Sequence, residues 1–356
     1  MLNSRVFHST VLKYPPQIFR ASTVRFKSTT VSVQHFHVND KKHINCNLTY
    51  DVFTPKSVDS QTEKKYPPIF FLHGLLGNRK NNKTASKRLA QLLNTTIVTP
   101  DLRNHGDSAH ESPLDYNSMT EDIHNLYYEL CQLDIIKKEF TTNKHATAII
   151  MGHSMGGKVA LLSSLRYPNI FKGTISIDNI PYDSPEESYK EFEKFHIYIK
   201  NLKKITSDTT ITTMDQVDEK LSLIESDPLV RKFIMSNLVR DYKLLEKSKA
   251  KEIEKFDSPV IKSKIPLDIV ENGIENIIGF DLSDKIDISK LKKYNHPVLI
   301  IRANQSPFIG ENIKEELIEK HYEDYELVSF DCGHWIVSEK PKEFIETVVN
   351  WISKKF

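Results

Sequence analysis

The run Ile149-Ile150-Met151-Gly152-His153-Ser154-Met155-Gly156-Gly157-Lys158 sets a serine between glycines, after an apolar stretch and before a helix-forming one. A hydroxyl becomes a useful nucleophile on a tight strand-to-helix turn that lifts its oxygen clear of the backbone beside a base. Gly152 and Gly156 give such a turn its room, because side chains there would crowd the serine's neighbours. The helix that follows aims free N–H groups at the point where negative charge develops. The chemistry indicated is attack of Ser154 on an acyl carbon.

A serine of this kind needs a base and an acid, which follow it in the order Ser, acid, His. His334, in Asp331-Cys332-Gly333-His334-Trp335, comes late and directly after the strand-like run Glu326 to Phe330. It is the candidate to take the Ser154 proton and return one at the second step. His8, His35 and His37 lie in or near the N-terminal tail, and His110, His124, His196 and His321 lack a strand-end position. The acid has two candidate places. After the strand Val298 to Ala303 stands Asn304-Gln305-Ser306-Pro307-Phe308, without a carboxylate. The strand after the helix that follows the Ser154 turn, the elbow helix, does end in one, Ile175-Ser176-Ile177-Asp178-Asn179. Asp178 is therefore assigned to orient His334, with Asp183 as the alternative.

An oxyanion hole calls for two backbone donors. Met155 N–H, next after the nucleophile, is one. Leu75 N–H is the other, from the loop His73-Gly74-Leu75-Leu76-Gly77, where Gly74 permits the sharp turn. His73 reads as an imidazole that holds this loop. The charged residues of Asp101-Leu102-Arg103-Asn104-His105-Gly106-Asp107-Ser108 read the same way, fixing a strand-end loop by hydrogen bonds. No metal constellation stands out.

These residues need a scaffold. Val31 to Phe36 and Ile44 to Phe53 read as an opening antiparallel hairpin, and Pro55 to Lys65 as a loop. Pro68 to Gly74 is a continuous apolar run, the mark of a strand covered on both faces. Thr84 to Leu93 has helical spacing, Thr95 to Asp101 reads as strand, and Met119 to Leu133 as helix. Gly173 to Asp178 follows the elbow helix as another strand. The alternation predicts an α/β fold with a mostly parallel, doubly covered sheet. It breaks in the lysine- and glutamate-rich stretch after Asp183, with helical pieces at Ser188 to Ile199 and Met214 to Ile224. We read 31–183 and 286–356 as the core and 184–285 as a helical cap over the active-site end. The core resumes with Val298 to Ala303, a helix from Glu311 to His321, the strand Glu326 to Phe330 and a closing helix from Pro341 to Ser353.

The chain has 356 residues and a formal net charge of +2, which gives no electrostatic case for nucleic acid. Its cysteines, Cys46, Cys131 and Cys332, are too widely spaced for a zinc site or a disulfide framework. No apolar run is long enough to span a membrane. Before Asp40 there is no acidic residue, while Arg5, Lys13, Arg20, Arg25 and Lys27 are interspersed with Ser and Thr. Residues 1–30 are thus expected to act as a mitochondrial transit peptide, an address that an import assay without them would test.

The segments Phe71 to Gly77, Asp101 to Ser108, Gly152 to Gly157 and Asp331 to Trp335 resemble those of the yeast mitochondrial ethanol acetyltransferase family. That family belongs to the α/β-hydrolases and is similar to abhydrolase-domain proteins and small bacterial esterases. The resemblance runs from about Phe36 onward, weakest in the cap, and also implies an acid after the elbow helix, matching Asp178. It implies acetyl-CoA, ethanol and short esters as substrates, with no cofactor or metal. The implied activity is formation of ethyl acetate through an acetyl-serine, with thioesterase and esterase side activities. A plain serine esterase or thioesterase is the alternative.

Overall fold

The computed structural model describes residues 31–36, 47–55, 66–136, 141–142, 145–182, 186–242, 259–278, 291–310 and 313–356. The proposed transit peptide, Asp183 and the bounds 184 and 285 of the cap lie outside them.

The strands of the main sheet are β1 (Val31–Phe36), β2 (Tyr50–Pro55), β3 (Ile69–Leu72), β4 (Ile97–Pro100), β5 (Ala148–His153), β6 (Phe171–Ile177), β7 (Val298–Ala303) and β8 (Tyr325–Phe330). They lie in the order β1-β2-β4-β3-β5-β6-β7-β8. The pairs β1–β2 and β2–β4 are antiparallel, and every other pairing is parallel.

The apolar run at β3 shows why the sheet is covered twice. Ile69 and Phe71 enter one hydrophobic cluster, with Leu89 and Leu93 of helix α1 (Lys83–Leu93) and residues of the closing helix. Phe70 and Leu72 enter the other, with Ile123 and Leu126 of α2 (Tyr116–Gln132) and Val159 of α3 (Met155–Arg166). Alternation along a strand sends neighbours to opposite faces, so both must be apolar. All four β3 residues are fully buried, each contributing about 1.5–3 kcal/mol.

Several element bounds differ from the sequence reading. Strand β2 is paired from Tyr50 to Pro55, two residues beyond the Phe53 of the sequence reading. The Thr49 carbonyl accepts from Asp101 N at 2.8 Å, and Thr49 N donates to Ser108 Oγ at 2.8 Å. Helix α2 starts a turn early because the Asp115 carboxylate accepts from Ser118 N at 2.7 Å, a side-chain N-cap.

After β6 the chain leaves the sheet. Its described part forms α4 (Tyr189–Ser207), α5 (Met214–Ser222), α6 (Pro228–Met235), α7 (Leu267–Gly273) and α8 (Glu275–Ile278). Leu238–Arg240 and Ile261–Ser263 pair there as a short antiparallel ribbon. Asp227 caps α6 by accepting from Leu229 N, and Pro228 sits where an N–H would be unpaired anyway. In the last part, α9 covers only Glu315–Glu319, shorter than the stretch from Glu311 to His321. A short α10 (Ile336–Glu339) follows β8 unforeseen, and α11 (Pro341–Lys355) closes the chain. Among the described residues no helix is long and apolar enough to cross a membrane.

Candidate active site

Strand β5 ends at His153 and α3 begins at Met155, so Ser154 alone makes the turn. Its φ of 55° and ψ of −119° put a non-glycine residue in a sparsely populated region, a strain that must be held by its surroundings. Ser154 N donates to the Ile177 carbonyl at 2.8 Å, and the Ser154 carbonyl accepts from Gly157 N at 2.8 Å and Asn179 Nδ2 at 3.1 Å. Both flanking glycines are required by space. A Cβ on Gly152 would lie 2.0 Å from the Gly156 carbonyl oxygen, and one on Gly156 2.5 Å from that of His73.

Asp178 follows β6 with φ 54° and is fully buried. Its backbone N donates to Ile301 O at 2.7 Å, which ties it to β7. Both carboxylate oxygens accept. Ala303 N donates to Oδ1 at 3.1 Å, and His334 Nδ1 lies 2.6 Å from Oδ2. With Nδ1 carrying its proton towards Asp178, His334 Nε2 is the free acceptor. The loop bearing His334 is itself held. Gly333 N and Trp335 N donate to the Glu339 carboxylate at 2.8 and 3.2 Å, and Gln305 N donates to the Cys332 carbonyl at 3.0 Å. Sequence reading did not find Glu339, whose position depends on the short helix α10.

Ser154 and His334 line one pocket together with Leu75. The pocket opens to solvent, with His73, Gly74 and Trp335 also on its wall. Among the described residues no hydrogen bond joins the Ser154 and His334 side chains, a contact that often closes only in a substrate complex. Phe195 of α4 and Phe233 of α6 also line the pocket, so the chain between β6 and β7 contributes to its wall. Phe233 packs edge-on against Trp335 at 4.5 Å between ring centres, and Phe308 covers the His334 ring at 4.2 Å.

The loop that carries Leu75 is fixed from several sides. His73 Nε2 accepts from Leu102 N at 2.9 Å, so Nδ1 carries the proton and donates to the Gly74 carbonyl at 2.8 Å. Burial brings the His73 pKa down to about 4, so it stays neutral, as its reading as a loop-holding imidazole requires. Asn237, after α6, donates to the Leu76 carbonyl at 2.8 Å. Met155, at the first position of α3, is buried beside the serine.

Beneath this loop lies a charged cluster that sequence reading missed in part. Arg79 Nε meets Asp51 at 3.0 Å, its Nη1 meets Asp107 at 2.8 Å, and it also pairs with Asp101. Burial by itself would lower the Arg79 pKa, but Asp101, Asp107 and Asp51 outweigh it and push it up. The loop from Asp101 to Ser108 thus does hold structure by hydrogen bonds. Ser108 Oγ donates to the Asp101 carbonyl at 2.6 Å, and Gly106, at φ +55°, leaves room for the Asp101 carboxylate. Asp51 and Asp101 are buried, so Arg79→Met should leave both without their guanidinium, with His35 still on Asp51 and the backbone N–H groups of residues 79 and 107 still on Asp101, and cost about 3–5 kcal/mol. Urea unfolding measures this, and a loss under about 1 kcal/mol would show that the cluster does not brace the loop.

The family described as alpha/beta hydrolase fold matches residues 67–202. An abhydrolase domain-containing protein of Schizosaccharomyces pombe is 32% identical over 298 residues, covering 83% of this chain and 95% of that protein. The chain belongs to the α/β-hydrolase family. A probable alcohol acetyltransferase of Saccharomyces cerevisiae is 32% identical to this α/β-hydrolase over 341 residues, 95% of this chain and 90% of the relative. The sn-1-specific diacylglycerol lipase ABHD11 of Danio rerio is 31% identical over 311 residues, 86% of this chain and 82% of the relative. A marine microorganism esterase superposes with a TM-score of 0.64 at 22% identity, over 91% of this chain and 99% of that one, a likeness of fold.

Proposed function

We propose that this α/β-hydrolase is a mitochondrial alcohol acetyltransferase that makes ethyl acetate from acetyl-CoA and ethanol, and also hydrolyses thioesters and esters. The observation that carries the reading is the 2.6 Å contact of His334 Nδ1 with buried Asp178, in the pocket that Ser154 lines. The relative named probable alcohol acetyltransferase supports the transfer. His334 Nε2 takes the Ser154 proton as Oγ attacks the acetyl carbonyl. The oxyanion rests on the Leu75 and Met155 N–H groups. Collapse expels coenzyme A as its thiol, with the proton coming from His334, and leaves acetyl-Ser154. Ethanol then attacks the acetyl carbon, giving its proton to His334, and release of ethyl acetate returns that proton to Ser154. No step calls for a metal or a cofactor.

Water can take ethanol's place in the second step and yields acetate. Water stands at about 55 M, so millimolar ethanol competes only if a site positions it, an effect large enough to suffice. The aromatic wall of Phe195, Phe233 and Trp335 offers apolar surface for that site. Both products should be measured from acetyl-CoA at several ethanol concentrations. Ester should rise as acetate falls, because the two share one intermediate. Constant acetate with no ester would leave a plain esterase or thioesterase, the second reading, which the relative named a diacylglycerol lipase favours.

A further inference from the structure

We infer that His153, the residue before the nucleophile, is a positioning residue that fixes the base relative to the serine by donating from Nε2 to the His334 carbonyl. The inference rests on the proposal that Ser154 and His334 carry out the acyl chemistry. The bond is 2.7 Å long, and His153 is buried as the last residue of β5. A carbonyl only accepts, so Nε2 must carry the proton, and the ring exists as one tautomer.

The placement gives the bond its consequence. Glu339 and Gln305 hold the His334 loop from the side of β7 and α10. His153 reaches the same loop from the nucleophile's own strand, and its neighbour Ser154 is tied through its backbone N to Ile177. One residue therefore bridges nucleophile and base. The two imidazole rings lie 4.5 Å apart. Gly74 makes the space, since a Cβ there would stand 3.3 Å from His153 Nδ1 and 3.2 Å from Ser154 Cβ. Burial foremost, and then the neighbouring His334, bring the His153 pKa down to about 3. It stays neutral while His334 becomes cationic in turnover, so no second cation opposes that step.

The test compares amides of different reach, with 4-nitrophenyl acetate as substrate so that it does not depend on the acyl donor. Gln places its amide nitrogen where His places Nε2, Asn stops at the Nδ1 position, and Met fills volume without a donor. His153→Asn and His153→Met should lower kcat by about 10- to 100-fold with KM nearly unchanged, because a displacement near 1 Å costs that much. His153→Gln should recover about tenfold over His153→Asn. Inactivation rates with a fluorophosphonate, normalised to the folded fraction from thermal unfolding, should follow the same order. Equal kcat for Asn and Gln, or losses confined to KM or to thermal stability, would overturn the inference while leaving the serine reading intact. If Ser154→Ala kept full turnover, the serine reading itself would fall, and this inference with it.

Discussion

Ser154→Ala should lower turnover by about four to six powers of ten with the fold retained, and His334→Ala should do the same. The two act as a unit, since the base has no role without a hydroxyl to deprotonate. The double variant should therefore be scarcely slower than either single one. Residual rate over the uncatalysed reaction should persist, because the backbone donors at Leu75 and Met155 remain. The measurement is kcat with 4-nitrophenyl acetate for the three variants, with thermal unfolding in parallel. Folded single variants within tenfold of the parent, or a double variant slower by the product of the single effects, would remove the serine–histidine assignment.

Asp178→Asn should cost about a thousandfold to ten-thousandfold in kcat. Both oxygens of this carboxylate accept, one from Ala303 N and one from His334 Nδ1. Asn offers a single accepting oxygen and turns the other position into a donor. If the oxygen stays on Ala303 N, the amide faces Nδ1 and selects the imidazole tautomer whose Nε2 carries the proton. That tautomer cannot accept from Ser154. If the oxygen turns to His334, the amide meets Ala303 N and a buried donor is left unpaired, costing about 1–3 kcal/mol. An Asp178→Asn enzyme within tenfold of the parent would refute the assignment, as would a crippling Asp183→Asn.

The sequence was most legible where chemistry forces residue types into short spacing. Ser154 between glycines, Asp178 at a strand end and His334 after a late strand are local patterns, and the fold brings these residues together. The continuous apolar run Ile69 to Leu72 likewise announced a strand covered on both faces. What escaped depends on contacts that only the folded chain makes. Arg79 finds its partners at positions 51, 101 and 107. Glu339 matters only because α10 turns it back on Gly333 and Trp335, and His153 only because its ring meets the carbonyl of His334. Periodicity carries no record of these pairings, because the partners of Arg79 and His153 lie tens of residues away or more, and Glu339 reaches back to Gly333 and Trp335 only through the turn at α10.

The central claim is that the acetyl group passes through Ser154. The enzyme should be mixed with acetyl-CoA, quenched in acid within its first turnovers, digested, and the peptide containing Ser154 weighed with and without ethanol. The account predicts one added acetyl group on Ser154, reduced when ethanol is present as ethyl acetate forms, and absent from Ser154→Ala. Turnover of acetyl-CoA without acetyl on Ser154 under conditions where acylation outpaces deacylation, or an acetyl-Ser154 that neither ethanol nor water discharges, would contradict it.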